Sequence, residues 1–314
     1  MTAPAATQAA RPAAVTLIRR FTPGDAIYPK SLLLLDNPPK ALYALGDVSL
    51  LARPLVAIIG SRTPTAYGCR VAYEAGQAAA RAGLVVVSGM ARGLDTRAHR
   101  GALDAGGGSI AVLGSGVDVA YPRSNSDLHL DLQSRGLLLS EQEPGSSPHP
   151  GSFPLRNRII AGLAQALLVV EGKALGGTTN TAKQVHALHK PVLAVPGRID
   201  DAVAEGPNQW IRDGATPYLG PQDLLEPFGL HWQGVVDAER RADAVQLDAL
   251  LADSRDLLAA EAQVFDALRA EPIHVDAIAA RTRLDAGTLL AALSSLELKG
   301  LAVQLPGKHF RLAA

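Results

Sequence analysis

The chain has 314 residues, 47% of them apolar and 19% charged, with 30 basic residues against 30 acidic. That is enough apolar chain to bury a large core and fill about two domains at roughly 150 residues each, while the even charge count excludes a global field that would attract a polyanion. No apolar run approaches the ~20 residues that span a bilayer, Met1 to Pro12 lacks a basic stretch followed by an apolar one, and the single cysteine, Cys69, excludes a disulfide framework or a multi-cysteine zinc site.

The expectation is therefore a cytoplasmic globular protein without membrane contact, with Cys69 as core filler. Charge by segment does not change this: residues 1–52 carry 5 basic and 3 acidic residues, 53–228 carry 16 and 15, and 229–314 carry 9 and 12. Any anion site has to be local, made of arginines gathered at one edge together with backbone amides.

In chain order, residues 1–14 are Ala, Pro and Thr with little to pack and read as a weakly ordered tail. A lead-in follows to residue 52, with the apolar stretch Ser31 to Leu35 between Pro29 and Pro38-Pro39. From residue 54, short apolar runs alternate with helix-compatible segments: Leu55–Ile59, Leu84–Val87, Ser109–Leu113, Leu137–Ser140, Ala166–Val170 and Val192–Val195. Runs apolar at every position suit strands covered on both faces, and strands alternating with helices predict a Rossmann-like, doubly wound, mostly parallel sheet over residues 53–228. Residues 229–257 read as a linker or peripheral helix. Residues 258–314 predict a small winged helix: helices at Leu258–Ala270, Val275–Ala280 and Ala286–Leu298, then Leu301–Leu305 and Phe310–Leu312 about a Pro306-Gly307 turn.

In an open α/β sheet ligands bind beyond the carboxyl ends of the strands, so the residues there carry the functional reading. The first run ends in Gly60-Ser61-Arg62-Thr63-Pro64, neither a Gly-x-Gly-x-x-Gly fingerprint nor a Walker loop. What it offers is a tight turn with free amides, a hydroxyl and a guanidinium, all suited to phosphate oxygens. A plain turn with a solvated or carboxylate-paired arginine is the alternative. The second run leads into Ser88-Gly89-Met90-Ala91-Arg92-Gly93-Leu94-Asp95, where Asp95 reads as a helix cap, and the third into Leu113-Gly114-Ser115-Gly116 and Tyr121-Pro122-Arg123. In the block Phe153 to Leu163, Pro154 ends an extended piece and a helix starts at about Leu155, with Arg156 and Asn157 in its first turn and Arg158 just beyond. Cations there oppose the helix dipole unless an anion joins them; ordinary solvated arginines are the alternative. After Val170-Glu171-Gly172, the segment Gly176-Gly177-Thr178-Thr179-Asn180-Thr181 opens a helix that also carries Lys183. Aromatics make up only 4% of the chain, leaving Phe153 and Tyr121 as the stacking candidates, or as rings half-buried in the domain edge.

These motifs together resemble the DNA-processing protein A (DprA) family of bacterial proteins for single-stranded DNA uptake and recombination. The resemblance runs from about Tyr28-Pro29 to Glu226 through Leu42 to Asp47, Gly60-Ser61-Arg62 with Tyr67-Gly68, Ser88 to Asp95 with Ala98-His99, Tyr121-Pro122-Arg123, Phe153 to Gly162, Val195-Pro196-Gly197 and Gly206-Pro207-Asn208. It implies a core that binds single-stranded DNA with little sequence preference, forms a homodimer and helps load the RecA recombinase, with no cofactor and no metal. It marks Arg62 as the pocket arginine and Arg123 and Arg156 as further cationic contacts; with the strand-end reading, the expected contacts are Gly60, Ser61, Arg62; Gly89, Arg92, Gly93; Gly114, Ser115, Gly116, Tyr121, Arg123; Phe153, Arg156, Asn157, Arg158; and Gly177, Thr178, Thr181, Lys183. Two features depart from the family pattern. Only about fifty residues precede the sheet, too few for the sterile-alpha-motif-type domain many members carry, and the glycine-rich turn reads Gly177-Thr178-Thr179-Asn180-Thr181 where Ser and Leu are more usual.

The enzymatic alternative is a nucleotide phosphoribohydrolase similar to the lysine-decarboxylase-like proteins, which carry a catalytic glutamate after a related glycine-rich segment. Aligning its threonine with Thr181 places Gln184 at the glutamate position, and an amide cannot act as a general base. Glu141, Glu143 and Glu171 have no partnered arrangement, and His99, His149, His186 and His189 have no metal-ligand spacing. The expectation is a binding protein, not an enzyme. The predicted recognition helix, Ala286 to Leu296, has no Lys or Arg, so the terminal domain is expected to make protein contacts or to regulate.

Overall fold

A run that is apolar at every position has two faces to hide, because successive strand side chains point to opposite sides. In the computed structural model, which describes residues 17–269 and 271–313 and only the backbone of 242–258, each predicted run is a strand with helices on both sides. The tail expected over residues 1–14 lies outside the described residues.

The first compact unit extends to Val235. In chain order it contains β1 (Arg19–Phe21), β2 (Leu42–Gly46), β3 (Leu55–Ile59), α1 (Ala66–Arg81), β4 (Val85–Ser88), α2 (Leu94–Asp104) and β5 (Ser109–Leu113). Then come α3 (Ser126–Arg135), β6 (Leu137–Ser140), α4 (Ser152–Leu163), β7 (Ala166–Val169), α5 (Gly177–Ala187), β8 (Val192–Ala194), α6 (Glu205–Arg212), β9 (Thr216–Pro217) and α7 (Pro221–Leu225). Among the described residues nine strands form one sheet in the order β1-β2-β6-β5-β4-β3-β7-β8-β9. It is parallel from β6 to β9, and β1 and β2 add antiparallel to its edge. The lead-in is thus part of the sheet: Tyr43 to Gly46 pair with Ser140 to Leu137, while Tyr28, Leu32 and Leu35 join the core beneath α4.

The two faces alternate along each strand. Leu55, Ala57, Ile59, Val85 and Val87 pack with Ile159, Ile160 and Val185 of α4 and α5; Val56, Ile58 and Val86 pack with Val71, Ala75, Leu94 and Ala98 of α1 and α2. At about 25 cal/mol per Å² of apolar surface, this double coverage is the dominant stabilising contribution.

One expectation needs correction and one is narrowed. The α4 helix begins at Ser152, so Pro154 is its third residue: a first-turn amide has no intrahelical acceptor to lose, and proline costs nothing there. The segment read as linker or peripheral helix is helical from Trp232, within α8 (Trp232–Ala267). The second compact unit starts at Val236. It contains β10 (Ile273–His274), α9 (Val275–Thr282), α10 (Ala286–Leu298), β11 (Ala302–Leu305) and β12 (His309–Leu312), with a three-stranded antiparallel sheet in the order β10-β12-β11. Its core joins Val264, Leu268, Ile278, Leu289, Leu293 and Phe310, the packing of a winged helix.

Candidate functional site

The strand order turns at β3: β4, β5 and β6 follow on one side and β7, β8 and β9 on the other. Connections that leave adjacent strands in opposite directions open a crevice beyond their carboxyl ends. A cavity of about 700 Å³ lies there, walled by Gly60, Ser61 and Arg62 after β3 and by Gly172, Lys173 and Gly176 to Thr178 after β7, with Phe153, Arg156 and Asn157 of α4 between them.

The first wall is fixed by close packing. The Ser61 carbonyl accepts the Leu94 N–H at 3.2 Å, and Gly93, at φ 86°, holds its Cα so near that a Cβ would lie 2.3 Å from that same oxygen. The Ser61 hydroxyl accepts the Thr63 N–H at 3.1 Å and keeps its proton for a ligand. Arg62 is exposed, with its guanidinium carbon 5.5 Å from the centroid of Phe153; Phe153 lies 5.6 Å from Tyr121 at 32° between planes. A cation and two rings therefore form one row at the edge of the crevice, which Arg62 and Phe153 line and Tyr121 does not, and Tyr121 is 45% exposed. Such a row offers both a charge for phosphate and π faces for bases. A smaller recess beside it, of about 50 Å³, is lined by Gly89, Arg92, Gly114, Ser115 and Tyr121.

Arg156 corrects the reading of the helix start. It is no solvated arginine: it lines the crevice yet is buried, and one guanidinium nitrogen donates to the Gly89 carbonyl at 2.6 Å and to the Val112 carbonyl, while its Nε donates to Asn157 Oδ1 at 3.2 Å. Burial pulls its pKa down to about 10, against the attraction of Asp95, and it stays charged at neutral pH. The Asp95 carboxyl is pushed up by burial, opposed by Arg156 and by the N–H groups of Ala91 and Gly89, at 3.3 and 3.2 Å. Together they brace the ends of β4 and β5 under the row.

Other expected contacts lie elsewhere. Arg158 pairs with Glu141 and has 12% of its side chain exposed; Gly116 packs on Glu143 and Asp118; Arg123 and Lys183 are exposed but line neither cavity; and Gly93 lines a groove beside α2, not the crevice. Gly60, Thr178 and Thr181 line it as expected. Lys173, Asn180 and Asp95 line it without having been proposed as contacts. The signal for Lys173 was its place four residues after the end of β7.

The strand-end carboxylates have structural partners. Glu171 is buried and accepts the Thr65 N–H at 3.0 Å and the Thr65 hydroxyl, closing the start of α1. Among the described residues no group of three metal-binding side chains is assembled, and no helix is long and apolar enough to cross a membrane.

A sequence model described as DNA recombination-mediator protein A matches residues 19–229, and one described as the DprA winged helix domain matches 248–308. The chain is 39% identical over 204 residues to the DNA processing protein DprA of Streptococcus pneumoniae, covering 65% of this chain and 72% of that one. It is 35% identical over 315 residues to Protein Smf of Synechocystis, covering 93% and 79%. The X-ray structure of the Streptococcus pneumoniae protein superposes with TM-score 0.65 at 38% identity, over 67% of this chain and 74% of that one. The DNA processing protein A of Helicobacter pylori, described as having a unique single-stranded DNA binding mode, superposes with TM-score 0.61 at 31% identity, over 67% and 95%. The chain belongs to the DNA recombination-mediator protein A family.

Proposed function

We propose that this protein binds single-stranded DNA at the crevice, without strong sequence preference, and delivers it to the RecA recombinase during DNA uptake and recombination. The observation that carries this reading is the row Arg62–Phe153–Tyr121 at the edge of the switch-point cavity. Stacking faces accept any base, and a guanidinium recognises phosphate, which every nucleotide has. Duplex DNA keeps its bases stacked on one another and so cannot use these faces. The recombinase step and a homodimer through the sheet-bearing unit are supported by the family alone. The relatives described as DNA processing proteins, and the structural roles of Glu171 and Glu141, favour binding over catalysis.

The test is affinity for oligothymidylate as a function of salt, for wild type and Arg62→Ala. The expected result is a negative log-log slope that shallows by roughly one unit in the variant. Salt-independent binding, or nucleotide hydrolysis in its place, overturns the reading. The winged helix is assigned to protein contact because α10 carries no Lys or Arg; a tenfold affinity loss on removing residues 258–314 would overturn that part.

A further inference from the structure

Arg62 faces two ways. Besides the crevice it borders a second groove of about 580 Å³ on the outer side of α2, lined among others by Arg92, Arg97, Arg100, Tyr73 and Cys69. Arg97 and Arg100 stand three residues apart on one helix face, about 4.5 Å along the axis at 1.5 Å per residue, and Arg92 lies two residues before the helix. Arg92 and Arg97 are exposed and have no ion pair among the described residues, whereas Arg100 pairs with Asp131. The carboxylate lining the groove is Asp104, at the far end of α2, where its Oδ2 accepts the Tyr73 hydroxyl at 3.0 Å.

In a chain with no net charge, three guanidinia without an ion pair among the described residues, those of Arg62, Arg92 and Arg97, share a groove with one carboxylate and make a local excess of positive charge. Regularly spaced phosphates complement such an excess at several points at once. The groove shares Arg62 with the crevice, and both Arg62 and Arg92 with the small recess.

We infer that this groove carries the continuation of the strand that occupies the crevice, its backbone phosphates tracking Arg62, Arg92 and Arg97 in turn. The inference rests on the single-strand reading of the crevice and adds a path and a direction to it. Because the groove lacks the paired rings of the crevice, it grips backbone and stacks no bases, and its contribution appears only with oligonucleotides long enough to leave the crevice.

The protein carries its own reporter, since Cys69, the one cysteine in the chain, is half-buried in the groove wall. The experiment compares oligothymidylates of about six and about twenty nucleotides, bracketing the usual site sizes of single-strand binders. It measures affinity for wild type, Arg97→Ala and Arg97→Glu, and the rate at which the uncharged reagent iodoacetamide modifies Cys69 in wild type. The expected result is several-fold protection of Cys69 by the long oligonucleotide only. The long one should also bind at least tenfold more weakly to Arg97→Glu, with Arg97→Ala intermediate and the short one unaffected. If both oligonucleotides bind wild type while neither Cys69 reactivity nor the Arg97 variants respond to length, the groove is overturned and the crevice stands. If neither binds, both readings fail.

Discussion

The guanidinium of Arg156 lies against the backbone of Gly89: it donates to the Gly89 carbonyl at 2.6 Å, and a Cβ at position 89 would come within 2.5 Å of its nitrogens. Glycine at 89 is therefore favoured by the space a neighbour's guanidinium occupies, not by its own φ. Removing one partner from a buried charged cluster leaves the other uncompensated, at a cost of about 3 to 5 kcal/mol. Arg156→Ala, which strands Asp95, is expected to lose stability of that order in chemical denaturation. Arg156→Lys keeps the charge but not the planar fork between two strand-end carbonyls, and should recover less than half of the loss.

Glu171 predicts a different separation. Its carboxylate closes the start of α1 through Thr65, and a Cβ on Gly68 would lie 2.3 Å from the Glu171 carboxyl carbon. Thr65→Ala, which removes the helix cap, should cost about 1 kcal/mol, and Gly68→Ala more, because the buried carboxylate has nowhere to go. Glu171→Gln should lower the melting temperature while leaving oligothymidylate affinity at the wild-type value. A catalytic carboxylate would show the reverse pattern: intact stability and a lost activity.

The buried His99 sets an acid limit. Its Nδ1 lies 2.7 Å from the Ser109 hydroxyl, and burial, with Arg156 and Arg100 adding repulsion, depresses its pKa from 6.5 to about 3. Between those values the unfolded chain binds a proton that the folded chain refuses, so the stabilising effect is complete above pH 6.5 and is lost as pH falls toward 3. Its size is on the order of 5 kcal/mol if fully expressed. Asp95, raised above its ordinary 3.8, has the opposite sign in the window just above that value. Unfolding free energy measured from pH 7 to 4 should fall steeply in wild type and flatten in His99→Gln, which carries no titrating group.

The core strands were legible because runs such as Leu55–Ile59 are apolar on both faces, a pattern that only a covered sheet satisfies. The strand order was not, since nothing in a run states its neighbour, and so the switch point between β3 and β7 appeared only in three dimensions. At the site, Gly60-Ser61-Arg62 could be read from turn chemistry. Arg156 and Arg158 look alike in sequence, yet one is tied to backbone carbonyls and the other to Glu141, because side-chain partners 17 to 67 residues away decide which cation is spent. Lys173 was missed for a related reason: no glycine adjoins the crevice at that position except Gly172 before it, and its role depends on β7 lying next to β3.

Arg62 and Phe153 touch each other, yet they should fail in different ways when removed. Arg62 offers a phosphate contact, so Arg62→Ala weakens binding mainly at low salt, where released counterions contribute most. Phe153 offers a face, and base-aromatic stacking is worth about 1 to 3 kcal/mol per base with no ion exchanged. Phe153→Ala should therefore weaken oligothymidylate binding about 5- to 150-fold at every salt concentration, leaving the log-log slope as in wild type. Phe153→Trp keeps a stacking face and should retain most of the affinity. If Phe153→Ala instead shallows the slope as Arg62→Ala does, the ring acts only by holding the guanidinium 5.5 Å above it, and the bases are gripped elsewhere.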